Sequence, residues 1–138
     1  MTNDALKLEN QLCFPLYAAA RKVVKAYTPY LSKIGLTYTQ YIVMMVLWEQ
    51  QALSVQELGN RLSLDSGTLS PLLKRLEEQG YCERRRLEAD ERVVEVMVTE
   101  KGTGLKKRAS GIPEEMKKCM NLSQEEAMTL YGLLYKIM

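Results

Sequence analysis

Histidine is absent from this sequence. Without it there is no Ser-His or Cys-His catalytic pair, and the commonest zinc ligand is missing. Cysteine is scarce: Cys13, Cys82 and Cys119 form no CxxC pair and are too dispersed for an all-cysteine zinc site. No apolar run approaches the roughly 20 residues that a membrane-spanning helix requires. No signal peptide is visible at the start. A cytoplasmic protein without metal or cofactor is expected. A stable structural disulfide is not expected in a reducing compartment. Any cysteine with a chemical role must then act as a thiolate.

What is present describes one globular domain, with 46% hydrophobic and 26% charged residues in 138. A chain of this size has room for a core, yet it is small enough for stability to depend on a partner chain. The net charge is only +2. Basic residues nevertheless gather at Lys74, Arg75, Arg84, Arg85, Arg86 and Arg92. Glu77, Glu78, Glu83, Glu88, Asp90 and Glu91 cancel them in number. Only geometry can separate the two signs onto different faces, so charge alone argues weakly for nucleic acid.

The apolar spacing predicts helices. Leu12, Leu16, Ala19, Val23, Tyr27, Tyr30 and Ile34 recur every three or four residues, the pattern of a helix with one buried stripe. Pro15 places the start of that helix, or a bend in it, close to Cys13. YTQYIVMMVLWEQ (38–50) reads as a second, well-buried helix. Ser54 and Glu57 form a capping box before a short third one. Asp65 caps SGTLSPLLKRLEEQ, which Gly80 stops. Leu69, Leu72, Leu73 and Leu76 face inward there, and Ser70, Pro71, Lys74, Arg75 and Glu78 face out. YCERRRL and VVEVMVT flank the polar tip EADER as a hairpin. Thr99 opens a single helix with the stripe Leu105, Ala109, Ile112, Met116 and Met120. Ser123 and Glu126 box the last helix, whose stripe is Ala127, Leu130, Tyr131, Leu134 and Ile137.

That order makes the centre of the chain a winged helix-turn-helix. In such a unit the second helix of the turn enters the major groove and its N-terminal residues meet base edges. Here these are Ser66, Gly67, Thr68 and Ser70, small enough for close approach and hydroxylic enough to bond bases or phosphates. Lys74 and Arg75 follow one turn later. Arg92 sits at the hairpin tip, suited to a minor groove, and Arg84 and Arg86 share one strand face suited to phosphate. Each of these residues also reads as ordinary solvated surface. Winged helices serve as protein-interaction modules as well, and a pure interaction module is the competing reading.

The stretch LDSGTLSPLLKRLEEQGYCERRRLEADERVVEVMVTEKG (64–102) closely resembles the MarR family of bacterial transcription regulators. Shared features are the small-residue recognition helix, the glycine stop and the D-x-R wing, here Asp90 and Arg92. LENQLCFPLYAAAR (8–21) resembles the OhrR-like branch, which senses organic hydroperoxides. The resemblance implies a mainly α fold with a small β-hairpin and an intertwined homodimer. Residues 1–37 and 99–138 would supply the dimerisation helices, and 38–98 the DNA-binding region. It also implies a repressor of a pseudo-palindromic double-stranded operator, released by an oxidant. By the same resemblance Cys13 is the reactive cysteine, Tyr27 and Tyr38 bond it, Tyr17 lies nearby, and Cys119 is a candidate resolving thiol. Pro15 stands outside the family pattern. Control by a small aromatic ligand, as in other members, is the alternative, and a thiol peroxidase lacks any visible turnover machinery.

Read from the residues alone, Cys13 fits a small buried hydrophobe as well as a sensor, and Cys119 fits a surface thiol. Cys82 follows the glycine stop and reads as packing. Tyr27 lies fourteen residues beyond Cys13, roughly 21 Å along a straight helix. Unless the helix breaks sharply, it can support that sulfur only across a dimer. The redox site and the oligomer are therefore one question.

Overall fold

The computed structural model describes residues 3–138. Two 3-10 turns, Asn3–Leu6 and Leu8–Asn10, precede α1 (Cys13–Leu31). A further 3-10 turn, Ser32–Ile34, leads to α2 (Tyr38–Gln50), β1 (Ala52–Ser54), α3 (Val55–Leu62) and α4 (Ser66–Glu78). The hairpin strands are β2 (Cys82–Arg86) and β3 (Val94–Val98), and α5 (Glu100–Ala109), α6 (Ile112–Cys119) and α7 (Gln124–Ile137) follow. The expected mainly helical winged helix-turn-helix is what the chain forms. Among the described residues no helix is long and apolar enough to cross a membrane.

Residues 27–110 make one compact unit, and residues up to 26 together with 111–138 make another. The first has its core in Leu31 at the end of α1, in Ile34 and Leu36 after it, in Tyr41, Val43, Met44 and Leu47 of α2, and in Leu58 of α3. Leu69, Leu72, Leu73 and Leu76 of α4 complete it, on the face the helical spacing predicts. Asp65 caps α4, and Gly80, with φ +85°, ends it in the left-handed conformation that glycine adopts without strain.

The sheet has three strands in the order β1-β3-β2, all antiparallel. Cys82 pairs with Val98 and Arg86 with Val94, and Leu53 of β1 lies opposite Val96. β1 is absent from the sequence reading because three residues carry too little alternation to register. Ser54 does cap α3, accepting from the Glu57 amide at 3.0 Å. The Glu57 carboxylate returns only to the Ser54 hydroxyl, at 3.2 Å, so that box is half formed. A full box stands at Thr37 and Gln40, where none is expected from the sequence, and another at Ser123 and Glu126.

Two expectations are corrected. The helix expected to run on from Thr99 breaks after Ala109 and restarts as α6, because Pro113 has no amide to donate and its ring would meet the carbonyl one turn back. Leu105, Ala109, Ile112 and Met116 remain buried across the break, whereas Met120 is exposed. The stripe of α1 is not buried along its length: Leu12 is 85% exposed, Leu16 40%, and Ala19 is exposed too. On α7, Ala127, Leu130, Tyr131 and Ile137 are likewise exposed, with only Leu134 partly covered. The spacing reports a face suited to burial; a single chain holds nothing to cover it.

Gly102 in α5 tests the close packing at the base of the wing. A Cβ there would meet the Tyr81 carbonyl oxygen and Val98 Cγ2, while a Cβ at Gly104 would meet nothing within 4 Å. Gly102→Ala is expected to cost about 1–3 kcal/mol through overpacking. Gly104→Ala, on the same helix, is expected to gain about 0.4–1 kcal/mol by restricting the unfolded chain. Urea unfolding of the two variants measures both.

Candidate nucleic-acid interface and thiol sensor

α4 presents its polar edge because its leucines fill the other one. Ser66, Thr68, Ser70, Lys74 and Arg75 are all exposed. Asp65 accepts the Thr68 amide at 2.7 Å, and that bond holds its carboxyl below the usual carboxylate range. Arg75 borders an open cleft of about 340 Å³ together with Thr37, Thr39, Thr68 and Pro71. Among the described residues no ion pair engages Lys74 or Arg75. Both charges are available to a ligand.

The wing arginines differ from one another. Arg92 is gripped from behind: Nε and Nη2 donate to the two Asp90 oxygens at 3.0 and 3.1 Å. Its side chain stays 90% exposed at the hairpin tip. That pairing keeps the Asp90 carboxyl low and sets the guanidinium's direction. Arg86 donates to the Glu91 carbonyl at 2.8 Å, and Arg85 pairs with Glu95. Arg84 is committed elsewhere. Its amide and its guanidinium both donate to the Glu77 carboxylate, at 2.9 and 3.3 Å, on the seam between α4 and β2. The sequence pattern groups Arg84 with Arg86, and they do share strand parity. Parity alone does not show that the inner one of the pair faces Glu77.

Cys13 and Tyr17 stand in the first turns of α1, both exposed. Cys13 is the first residue of the helix, and Pro15 falls in the first turn, where no intrahelical amide bond is lost. The Arg21 guanidinium lies over the Tyr17 ring, 5.5 Å from its centre. α1 continues unbroken past Tyr27. Tyr27 meets Tyr38 with ring centres 4.8 Å apart. The sequence reading missed a third member: Tyr41, buried, 5.7 Å from Tyr27 and 6.4 Å from Tyr38. Its place one turn after Tyr38 was the available signal. Cys119 is exposed at the last position of α6. Cys82 is fully buried, and burial, with a smaller push from the Glu77 charge, raises its thiol to about 11. The expectation that Cys82 packs the sheet fits that environment.

Burial raises the phenols too: Tyr27 to about 12 with a smaller push from Tyr38 and Tyr41, Tyr41 upward with a smaller push from Tyr38, and Tyr38 upward by burial alone. The folded state therefore favours the neutral phenol. Its contribution is complete below the unfolded value near 10 and is lost as pH rises towards about 12. Stability is expected to fall across that alkaline window, read by denaturant midpoints at stepped pH. Iodoacetamide at neutral pH is expected to modify Cys82 only after denaturation, which peptide mass spectrometry resolves.

The profile of the transcriptional regulator SarA/Rot family matches residues 25–109. The organic hydroperoxide resistance transcriptional regulator of Bacillus subtilis (strain 168) is 46% identical over 135 residues, 98% of this chain and 92% of that protein. Reduced AbfR of Staphylococcus epidermidis bound to DNA is similar with a TM-score of 0.82 and 31% identity, over 99% of this chain and 96% of that one. Disulfide-formed AbfR is similar with a TM-score of 0.62 and 32% identity, over 96% and 88%. With this likeness running through the helices at both ends as well as the wing, the chain belongs to the MarR-type winged-helix transcription regulators, in the branch of the organic hydroperoxide resistance regulators.

Proposed function

We propose that the protein is a cytoplasmic, homodimeric repressor that binds a pseudo-palindromic duplex and releases it when Cys13 is oxidised by an organic hydroperoxide. The observation that carries this reading is the position of Cys13. It is exposed at the first residue of α1, where the amides of the first turn lack intrahelical partners and favour negative charge. Tyr27, the phenol of the cluster that α1 carries, lies fourteen residues further along the same helix, beyond the reach of a sulfur at its start. A partner subunit supplies the missing proximity. The uncovered apolar faces of α1 and α7 support that partner, since contiguous exposed apolar surface of this kind marks an interface.

The chemistry balances as follows. The Cys13 thiolate attacks one peroxide oxygen, the O–O bond breaks, and the alkoxide takes a proton and leaves as the alcohol. The sulfur is left as sulfenic acid. The thiol of Cys119 of the partner subunit then attacks that sulfur, water departs, and a disulfide forms. The change at Cys13 displaces Tyr27 and Tyr38. The two recognition helices then lose the spacing of roughly 34–36 Å that successive half-sites demand. On DNA, Ser66, Thr68 and Ser70 meet bases or nearby phosphates. Lys74, Arg75 and Arg86 meet phosphates, and Arg92, held by Asp90, enters the minor groove. Arg84 belongs to this set only through the strand it anchors.

Control by a small aromatic acid is the second reading. The cleft bordered by Arg75 and three threonines favours it, being of a size to admit one ring and its carboxylate.

A duplex selected from a random-sequence pool by the reduced protein serves as the probe. Wild type is expected to leave it on adding cumene hydroperoxide, and Cys13→Ser to stay bound, by gel shift. Release of the serine variant by peroxide, or release of wild type by salicylate alone, would sink the redox reading. Raising salt is expected to weaken binding, and Arg75→Ala to flatten the log–log salt slope by about 1. Arg84→Ala is expected to leave the slope unchanged and cost less than about 1 kcal/mol of stability.

A further inference from the structure

Gln40 is the one polar residue buried among the described residues, 6% exposed, and it also lines the open cleft beside Arg75. Its amide is used at both ends. The oxygen accepts the Thr37 backbone amide at 3.0 Å, which closes the cap of α2. The nitrogen donates to Gln79 Oε1 at 3.3 Å, and Gln79 Nε2 donates onward to the Gly35 carbonyl at 3.1 Å. Gln79 is the C-cap residue of the recognition helix α4, its own amide bonded to the Arg75 carbonyl at 3.0 Å. Two side-chain amides thus tie the start of α2 to the end of α4.

The same first turn of α2 carries Tyr38 and Tyr41, which meet Tyr27. One turn of helix therefore has the phenols on one side and the amide tie on the other. The tie is stiff for a physical reason. A buried amide that lets go of its partner keeps an unmet donor out of water, and that penalty falls on any movement separating Gln40 from Gln79. A shift of the α2 turn thus pulls on α4.

We propose that the Gln40–Gln79 pair is the positioning link through which the state of the phenol cluster sets the alignment of the recognition helix. The proposal extends the redox reading above by naming how the phenols reach the DNA-binding surface, and it rests on that reading for the origin of the phenol movement.

The test is a double-mutant cycle on operator affinity in the reduced protein, by fluorescence anisotropy with the selected duplex. The four arms are wild type, Tyr38→Ala, Gln79→Met and the double variant, with circular dichroism confirming the fold and Tyr38→Leu replacing an unfolded alanine variant. Tyr38→Ala is expected to weaken binding in the wild-type background, and that effect is expected to shrink about 2- to 30-fold in Gln79→Met. Gln40→Met, which breaks the tie from its other end, is expected to act alike. Gln79→Glu keeps the acceptor for Gln40 and is expected to retain the coupling. A Tyr38→Ala effect that is absent, or equal in both backgrounds, overturns the link. A second arm compares affinity before and after cumene hydroperoxide, and Gln79→Met is expected to lose most of the release. If wild type holds its DNA after oxidation, the redox reading fails while the reduced cycle still decides the link.

Discussion

Three consecutive carbonyls at the end of α4 hold the recognition helix in place. The Gln79 carbonyl accepts from Lys101 Nζ at 2.8 Å, the Gly80 carbonyl from the Thr99 hydroxyl, and the Tyr81 carbonyl from the Thr99 amide at 3.1 Å. These groups have no intrahelical partners, so something must satisfy them. Here the start of α5 does. The same short segment is tied through the Gln79 side chain to Gly35 and Gln40. Trp48 adds a fastening, donating from α2 to the Gly102 carbonyl at 2.8 Å, with its ring against Tyr41. The orientation of the DNA-binding surface is therefore set where α2, α4, the wing and α5 converge.

That convergence explains why the charges separate although the sequence nearly balances them. Glu77 is drawn to Arg84, Glu95 to Arg85 and Asp90 to Arg92, all on or beside the hairpin. Those three acids are thereby absorbed as local partners. Among the described residues Lys74 and Arg75 on α4 are in no ion pair and stand beside the small hydroxylic residues, and Arg92 is held at the tip. A net charge of +2 understates the field at this face. The protein is a transcription regulator and not an enzyme, and its surface is arranged accordingly.

The cysteines divide along the same lines. Cys82 sits in the sheet core, where desolvation keeps its sulfur protonated and unreactive. Cys13 and Cys119 are exposed; Phe14, Leu16 and Tyr17 are exposed beside Cys13, and Met120 directly after Cys119. A thiol beside surface of that kind becomes sheltered or reactive according to what covers it. This is why a redox role for Cys13 and the presence of a second subunit cannot be argued apart.

The sequence by itself determined the helices apart from the break between α5 and α6, most of their caps, the hairpin and the inward face of α4, because each follows from spacing and side-chain chemistry within a few residues. It also determined the family, through the motifs around Asp65, Gly80, Asp90 and Arg92. Tertiary structure decided what depends on distant partners. It added β1 to the sheet, put Tyr41 among the phenols, turned Arg84 to Glu77 and joined Gln40 to Gln79 across 39 residues of chain. It also left the stripes of α1 and α7 uncovered, a result that periodicity cannot foretell. Periodicity records which face of a helix is apolar, and only the packed chain determines whether anything lies against it.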